Sequence, residues 1–420
     1  MKRLIAPGLL VALVLLSALA SLEPVRDAAT LQFVSEATLR RSTGYVLLAP
    51  VSAILDTLSL LSLRQHIAFL VTIIVCYAIW WWFIGRAALA KLKAGRRAIR
   101  EAARIGVGVV ALVSLYTAMI LLPRPTAALS AAPEIIVIDF HSHTKFSHDG
   151  RWDWSPEDVR AWHRDAGFDV AYVTDHRTFE GARDGWSNNP QTAGAGTSLF
   201  PGIEGGLRGE HVNVLDADRK YRGILTPTLR DIDEGALALA SAIPGSEPIL
   251  IETLPGNLAN MVPGAGPGTA GVRAMEIIDG APKGLGQTRR EHDLIVHLAD
   301  SLNLALVTGS DNHGWGHTSS GWTLMYIPGW RGMPPERISE IISRALGQGG
   351  KASTRVVERY VADTDNGIAL PFTVPLVAWG MLRTLSTDER IVWVVWIVAA
   401  YFVWRIGRGR RRLAPAPVRA

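Results

Sequence analysis

Long apolar runs occupy both ends of this chain, and short, densely apolar segments bounded by polar clusters fill its middle. Residues 4–22, 67–85, 105–122 and 391–406 carry almost no charge. Each predicts a membrane-spanning helix, since a hydrocarbon core of about 30 Å takes about 20 residues. The first run follows Lys2 and Arg3 and ends in Ala18-Leu19-Ala20, the pattern of a signal anchor or a cleaved signal peptide. Two further stretches fit less well. Residues 45–63 contain Pro50 and Asp56 and are expected to be interfacial or re-entrant; residues 368–382 are short and hold Pro371 and Pro375.

The middle changes period. Residues 135–140 form a β-branched apolar run broken only by Asp139, which predicts a strand buried on both faces. Ser155-Pro156-Glu157-Asp158 supplies a cap, a proline at the first helical position and early acids, predicting a helix that Gly167 ends. Further strands are predicted at 169–173, 199–203, 211–215, 274–278 and 304–307, and helices at 289–302 and 335–346. This alternation predicts an α/β fold with a largely parallel sheet. Polar clusters follow strand after strand, which favours a barrel, where such ends share one mouth. Residues 126–133 read as a linker. The resulting division is a membrane region over 1–131, a soluble domain over 132–363, and a membrane anchor with a basic tail over 364–420.

Composition agrees with a chain partly dissolved in lipid: of 420 residues, 48% are hydrophobic, only 19% are charged, and 14 are Trp. The net charge of +5 comes mainly from two basic clusters, residues 86–104 and 405–412. Both abut predicted spans, so they mark cytoplasmic ends, and nucleic acid is not an expected partner. With both clusters inside, the run at 105–122 delivers the middle domain to the extracytoplasmic side and 391–406 returns the chain. A multi-pass protein of the plasma or inner membrane is expected. Cys76 is the lone cysteine and excludes an intrachain disulfide.

The chemistry sits after the strands. His141 and His143, at i and i+2 past a strand end, point to one side and can clasp one metal; Ser147-His148-Asp149-Gly150 follows them. Asp175-His176, Glu204, His211 and Asp311-Asn312-His313 come at or after later strands. Asp175-His176 or Glu204 alone reads as well as an ordinary loop residue, whereas three histidines and an acid within residues 141–149 favour a metal. Burying so many titratable groups together without a cation would be costly, and mixed imidazole and carboxylate donors suit Zn, Mn or Fe. Lys145 and Arg177, beside two of the motifs, are candidate phosphate contacts and equally plain exposed cations. His66, His163, His292 and His297 are read as structural or solvated.

In order and placement, DFHSHTKFSHDG, TDH, GIE, GEHVNVL and SDNH resemble the polymerase and histidinol phosphatase (PHP) superfamily over residues 139–313. The resemblance implies a distorted (β/α)7 barrel with up to three divalent metals at its C-terminal mouth. His141, His143 and Asp311 would hold one, and Glu204 would bridge to a second that His211 helps bind. Asp149 or His148, with His176 and His313, would serve a third. Where the family has a His-Pro pair after its fifth strand, this chain reads Glu252-Thr253-Leu254-Pro255. Leu254 cannot ligate, so a binuclear centre is expected over a trinuclear one.

The activity expected is phosphoester hydrolysis, with Asp311 or His313 accepting a proton from water and His176 or His148 protonating the leaving oxygen. Hydrolysis of a carboxylic ester or carbamate at the same metals is the enzymatic alternative. A receptor or assembly protein with a vestigial metal domain is the third; the near-complete donor set weighs against it.

Overall fold

The run at 135–140, densest in β-branched residues, becomes a central strand of the sheet in the computed structural model. It describes residues 5–89, 92–227, 231–243, 247–254 and 272–413; Lys2, Arg3, Lys91 and Pro255 lie outside them. In chain order the strands are β1 (Val25–Asp27), β2 (Ala37–Arg41), β3 (Ala127–Ala131), β4 (Ile135–Ser142), β5 (Val170–Val173) and β6 (Ser198–Leu207). There follow β7 (Glu210–Leu215), β8 (Leu250–Glu252), β9 (Val272–Asp279), β10 (Ala305–Gly309), β11 (Gly321–Tyr326) and β12 (Arg355–Arg359). Ten of them form one sheet in the order β1-β12-β11-β4-β5-β6-β7-β8-β9-β10, while β2 and β3 pair separately.

The fold is mixed α/β. Pairing is parallel from β4 to β6 and from β8 to β10, as the alternating pattern predicts. It is antiparallel on both sides of β7. The departure has a local cause: only Arg208 and Gly209 separate β6 from β7, both with positive φ, 54° and 89°. That is the two-residue turn that returns a strand directly upon its neighbour. The sheet curls until β10 packs against β4. Just beyond the strand ends, His143 N–H donates to Asn312 O at 3.1 Å and Asp311 N–H donates to His141 O at 2.9 Å. One core cluster joins Ile136, Phe140, Tyr172, Phe200, Ile251, Ala274, Val307 and Met325 with Ile338, Ile342 and Leu346 of helix Pro335–Gly349. Side chains from strands so far apart in the sheet can meet only on a concave face.

Helix Pro156–Ala166 has the expected capping box, Ser155 with Asp158, and stops at Gly167 with φ 90°. Arg289–Leu302 is capped in the same way by Thr288 and Glu291. Two segments take other roles than their patterns suggested. Residues 126–133, read as a linker, contain β3, and β1 extends the main sheet by pairing with β12.

Among the described residues three helices are long and apolar enough to cross a membrane: Leu63–Gly85, Ala94–Leu121 and Thr387–Gly407. Ile5–Ala20, read as a further span, is a shorter apolar helix. The stretch at 45–63 divides into Thr43–Leu47 and Ala49–Ser59, of 5 and 11 residues, and Thr373–Arg383 has 11. None of these reaches bilayer length. Each of the three long helices has one end bonded to the rest of the chain. Gln65 Nε2 donates to Ala362 O, Arg124 follows the end of Ala94–Leu121 and bonds Thr318, and Glu389 pairs with Arg41. Arg86, stacked on Trp82, follows the far end of Leu63–Gly85, and Arg104, stacked on Trp80, lies in the N-terminal half of Ala94–Leu121.

Candidate metal centre

Strand geometry explains how distant residues converge. His141 lies in β4 and His143 one residue past it; Glu204 is in β6, His211 in β7, and Asp311 and His313 follow β10. His176 follows β5 and bridges to Glu204. Among the described residues three donor groups have all their ligand atoms within 4.8 Å of one another. They are His141, His143, Glu204 and Asp311; His143, Asp149 and His313; and His176, Glu204 and His211.

The first group is the most complete. His141 Nε2 lies 3.0 Å from His143 Nε2 and 2.9 Å from Glu204 Oε2. It lies 3.4 Å from Asp311 Oδ1, while His143 Nε2 is 3.2 Å from Glu204 Oε2 and 3.1 Å from Asp311 Oδ1. Donors held about 2.0–2.1 Å from a tetrahedral ion stand about 3.3 Å apart, so these separations fit one cation. Glu204 turns Oε2 also toward His176 Nε2, at 3.3 Å, and Oε1 toward His211 Nδ1, at 2.6 Å.

Proton placement supports the same fit. His141 Nδ1 meets Glu276 Oε1 at 2.9 Å, so Nδ1 carries the hydrogen and Nε2 turns its lone pair inward. That lone pair faces another imidazole nitrogen and two carboxylate oxygens. Asp311 Oδ1 is buried and accepts no hydrogen bond. His313 Nδ1 donates to Asp311 O at 2.8 Å, which leaves its Nε2 lone pair facing Asp149 Oδ2 at 3.2 Å. Acceptors turned on acceptors at such distances are stable with a cation or proton between them.

The site is strongly electronegative. Burial disfavours charge on His143, yet Asp311 and Glu204 push it up to about 10. Burial likewise opposes protonation of His141, but Glu204, Asp311 and Glu276 hold it well above the usual imidazole range. Without an ion these acids draw protons onto the facing nitrogens; a bound cation would take the place of those protons and free the lone pairs. Burial takes His176 the other way, down to about 4, against the attraction of Glu204. The uncharged imidazole that burial favours there is the form that ligates a metal.

Sequence reasoning missed Glu276. It is the lone acid inside the apolar run Ala274 to Ile278, fully buried in β9, and it orients His141. Gly309 opposite it is tight: a Cβ there would come within 2.3 Å of Glu276 Oε1 and 2.9 Å of His141 Cβ. Leu254, at the departure from the family motif, packs into the core with Val212 and Ile277. His148 stands at the rim, its side chain 54% exposed, 3.7 Å from Asp149. Lys145 and Arg177 are both exposed, and neither forms an ion pair among the described residues. His163 and His292 are structural, bonded to Asp139 and to Ala28 O. Trp322 and Trp330 are core residues.

No protein-family model matches the chain, and no curated protein matches it. Among solved structures, PsfC from Pseudomonas syringae is 17% identical, covering 58% of this chain and 97% of its own, with a TM-score of 0.38. A candidate metal-dependent phosphoesterase from Bifidobacterium adolescentis is 15% identical over 49% of this chain and 96% of its own, TM-score 0.31. The lesion-specific endonuclease EndoQ from Pyrococcus furiosus is 11% identical over 51% and 56%, TM-score 0.36. Likenesses this distant carry no argument, and the reading rests on the site's own geometry.

Proposed function

We propose that this chain is a membrane-anchored, metal-dependent hydrolase of the PHP type that cleaves phosphoesters. The observation that carries the reading is the convergence of His141, His143, Glu204 and Asp311 at tetrahedral spacing, with their lone pairs turned inward. The seven strands β4 to β10, curled so that β10 meets β4, support a distorted barrel whose C-terminal mouth holds the donors.

In this reading His141, His143, Glu204 and Asp311 hold one divalent ion, and Glu204 with His176 and His211 hold a second. Zn, Mn and Fe suit these donors. Such ions supply Lewis acidity toward water and toward an ester oxygen. The chain's own residues do the rest. Glu276 fixes the tautomer of His141. His313, anchored through Nδ1, offers Nε2 as a proton acceptor beside Asp149. His148, exposed at the rim, is placed to return a proton to the leaving oxygen. Lys145 and Arg177 supply positive charge for an anionic substrate. The basic ends of the apolar helices lie away from the domain, which supports a cytoplasmic side there and an extracytoplasmic site in a multi-pass membrane protein.

The test uses the full chain in detergent, with metal content measured and then turnover of p-nitrophenyl phosphate, its diester and p-nitrophenyl acetate. At least one bound equivalent and faster cleavage of a phosphoester are expected. Preference for the acetate would turn the reading to carboxylic esters, and a metal-loaded protein inert on all three would remove the enzyme reading.

A further inference from the structure

The surroundings of the site narrow the substrate class, on the hydrolase reading above. The loop that carries Asp311 and His313 is fastened to an apolar helix. Gly316 donates its N–H to Ile120 O at 3.2 Å, in the last turn of Ala94–Leu121. Arg124, just past that helix, donates to Thr318 Oγ1 at 2.9 Å and to Asp56 at 3.1 Å, which pins the far end of the same loop. Three residues of chain span at most about 11 Å, so His313 cannot lie farther than that from Gly316 and its bond to the helix.

The helix has the right length to place that bond. Its 28 residues extend about 42 Å, close to the full bilayer thickness of about 40–45 Å. Arg96, Arg97, Arg100 and Arg104 lie toward the other end. With the helix across a bilayer, Ile120 reaches headgroup level, and His313 sits within about 11 Å of that level.

The rim carries the matching side chains. Trp315, between His313 and Gly316, is 53% exposed, and Trp152, three residues past Asp149, is 84% exposed. Arg151 N–H donates to His313 O at 2.9 Å, and its guanidinium lies 5.7 Å from the Trp315 ring centroid, joining the two loops. Exposed indoles at this depth are what a headgroup layer accommodates. A cavity of about 230 Å³, lined in part by Thr318 of the loop that carries Trp315, lies between Ser62 and Gln65 at the start of helix Leu63–Trp80 and Asp279 and Gly280 at the end of β9.

We propose that the site works at the bilayer surface on a phosphoester in a lipid headgroup, with Trp152 and Trp315 seated among the neighbouring headgroups. Water oxygen bonds to phosphorus, the bond to the leaving oxygen breaks, and that oxygen takes the proton water released. The lipid product stays in the membrane when the ester oxygen on the acyl-bearing side leaves, and the freed headgroup or phosphate departs into water.

The test places the metal-loaded full chain in phosphatidylcholine nanodiscs and offers matched pairs. Phosphatidic acid in the disc is set against glycerol 3-phosphate in solution, and phosphatidylglycerol against glycerophosphoglycerol. The lipid member of at least one pair is expected to turn over about tenfold faster or more, because anchoring raises its local concentration. Trp152→Ala with Trp315→Ala should cut that preference. Equal or faster turnover of the soluble members overturns this inference and leaves the hydrolase standing; turnover of none of the four, nor of p-nitrophenyl phosphate, fails the hydrolase reading itself. A nitroxide at W315C in a C76S background gives an activity-independent readout. Collision rates with oxygen and a polar nickel chelate should place it at headgroup depth, and water-like access would overturn the proposal.

Discussion

Two buried polar clusters stand near each other in chain topology, one around Asp56 and one around Glu204, and they differ in how their hydrogen bonds close. Asp56 is saturated. Its Oδ1 accepts from Arg124 and from Thr318, and its Oδ2 accepts from Tyr45 and Arg359, all at 2.8–3.1 Å. Both carboxylate oxygens are fully engaged, with Arg124 Nε the one buried donor of the cluster left over among the described residues, and the cluster joins the segment at 49–59, the exit of an apolar helix, the end of β12 and the loop beyond the site. Around Glu204 donors and acceptors do not match. Two imidazole nitrogens face each other, and Asp311 Oδ1 has no donor. Burial and charge alone would single out both clusters. The mismatch marks only the second as a place for a cation, while the first is a finished joint.

If Asp56 is a joint, removing it should cost stability and spare the metals. Asp56→Ala strands the guanidinium groups of Arg359 and Arg124, whose side chains are only 11% and 2% exposed, and breaking a buried pair from one side costs about 3–5 kcal/mol. Thermal unfolding in detergent should show a large loss, with metal content of the folded fraction unchanged. An unaltered unfolding transition would dissolve the comparison from the joint's side. The site side breaks differently. His141→Ala removes a donor common to most of the close contacts and should lower kcat/KM by about 10²–10³-fold, equivalent to about 3–4 kcal/mol, together with one metal equivalent. Retention of full metal content would show that the facing nitrogens close on a proton instead.

The sequence showed the metal side of this comparison more clearly than the joint. His141, His143, Glu204, Asp311 and His313 stand out because polar residues directly after apolar β-branched runs have few structural uses. Asp56 looked like a flaw in an apolar stretch, since its partners Arg124, Thr318 and Arg359 come from 68 to 303 residues away and no local pattern links them. The strand–helix alternation was legible, whereas the antiparallel β7 turned on two residues, Arg208 and Gly209, between what read as separate strands. β1 and β3 were hidden by their setting: short strands between apolar runs take their identity from pairing partners, here β12 and β2. Glu276 was legible in principle, as a single acid in an otherwise apolar strand. Its role depended on His141 lying opposite.

Glu276 sharpens the comparison, because it is a saturated group serving the unsaturated site. Its Oε1 meets His141 Nδ1 and its Oε2 accepts from Leu254 N–H. In Glu276→Gln one oxygen becomes an NH2 group, so only one of those donors keeps its acceptor. The imidazole loses orientation and basicity, and metal affinity should fall about 10–100-fold while the fold persists. Equilibrium dialysis against a metal-buffered solution measures this. An unchanged affinity would mean that His141 is not a ligand and that Glu276 belongs with the joint.

The smallest effect concerns the charges outside both clusters. Lys145 and Arg177 follow the ligand motifs, are exposed, and have no ion pair among the described residues. Neither is spent on structure as Arg124 and Arg359 are, so their charge is available to a substrate. Contacts of this exposed kind are weak and screened by salt. Lys145→Ala and Arg177→Ala should each raise KM about two- to fivefold for a phosphate ester at low ionic strength, leaving kcat and the neutral p-nitrophenyl acetate unaffected. The effect should shrink as salt rises. An equal change for the acetate, or a change insensitive to salt, would place both side chains in packing rather than in recognition of an anion, and would weaken the case for phosphoesters over carboxylic esters.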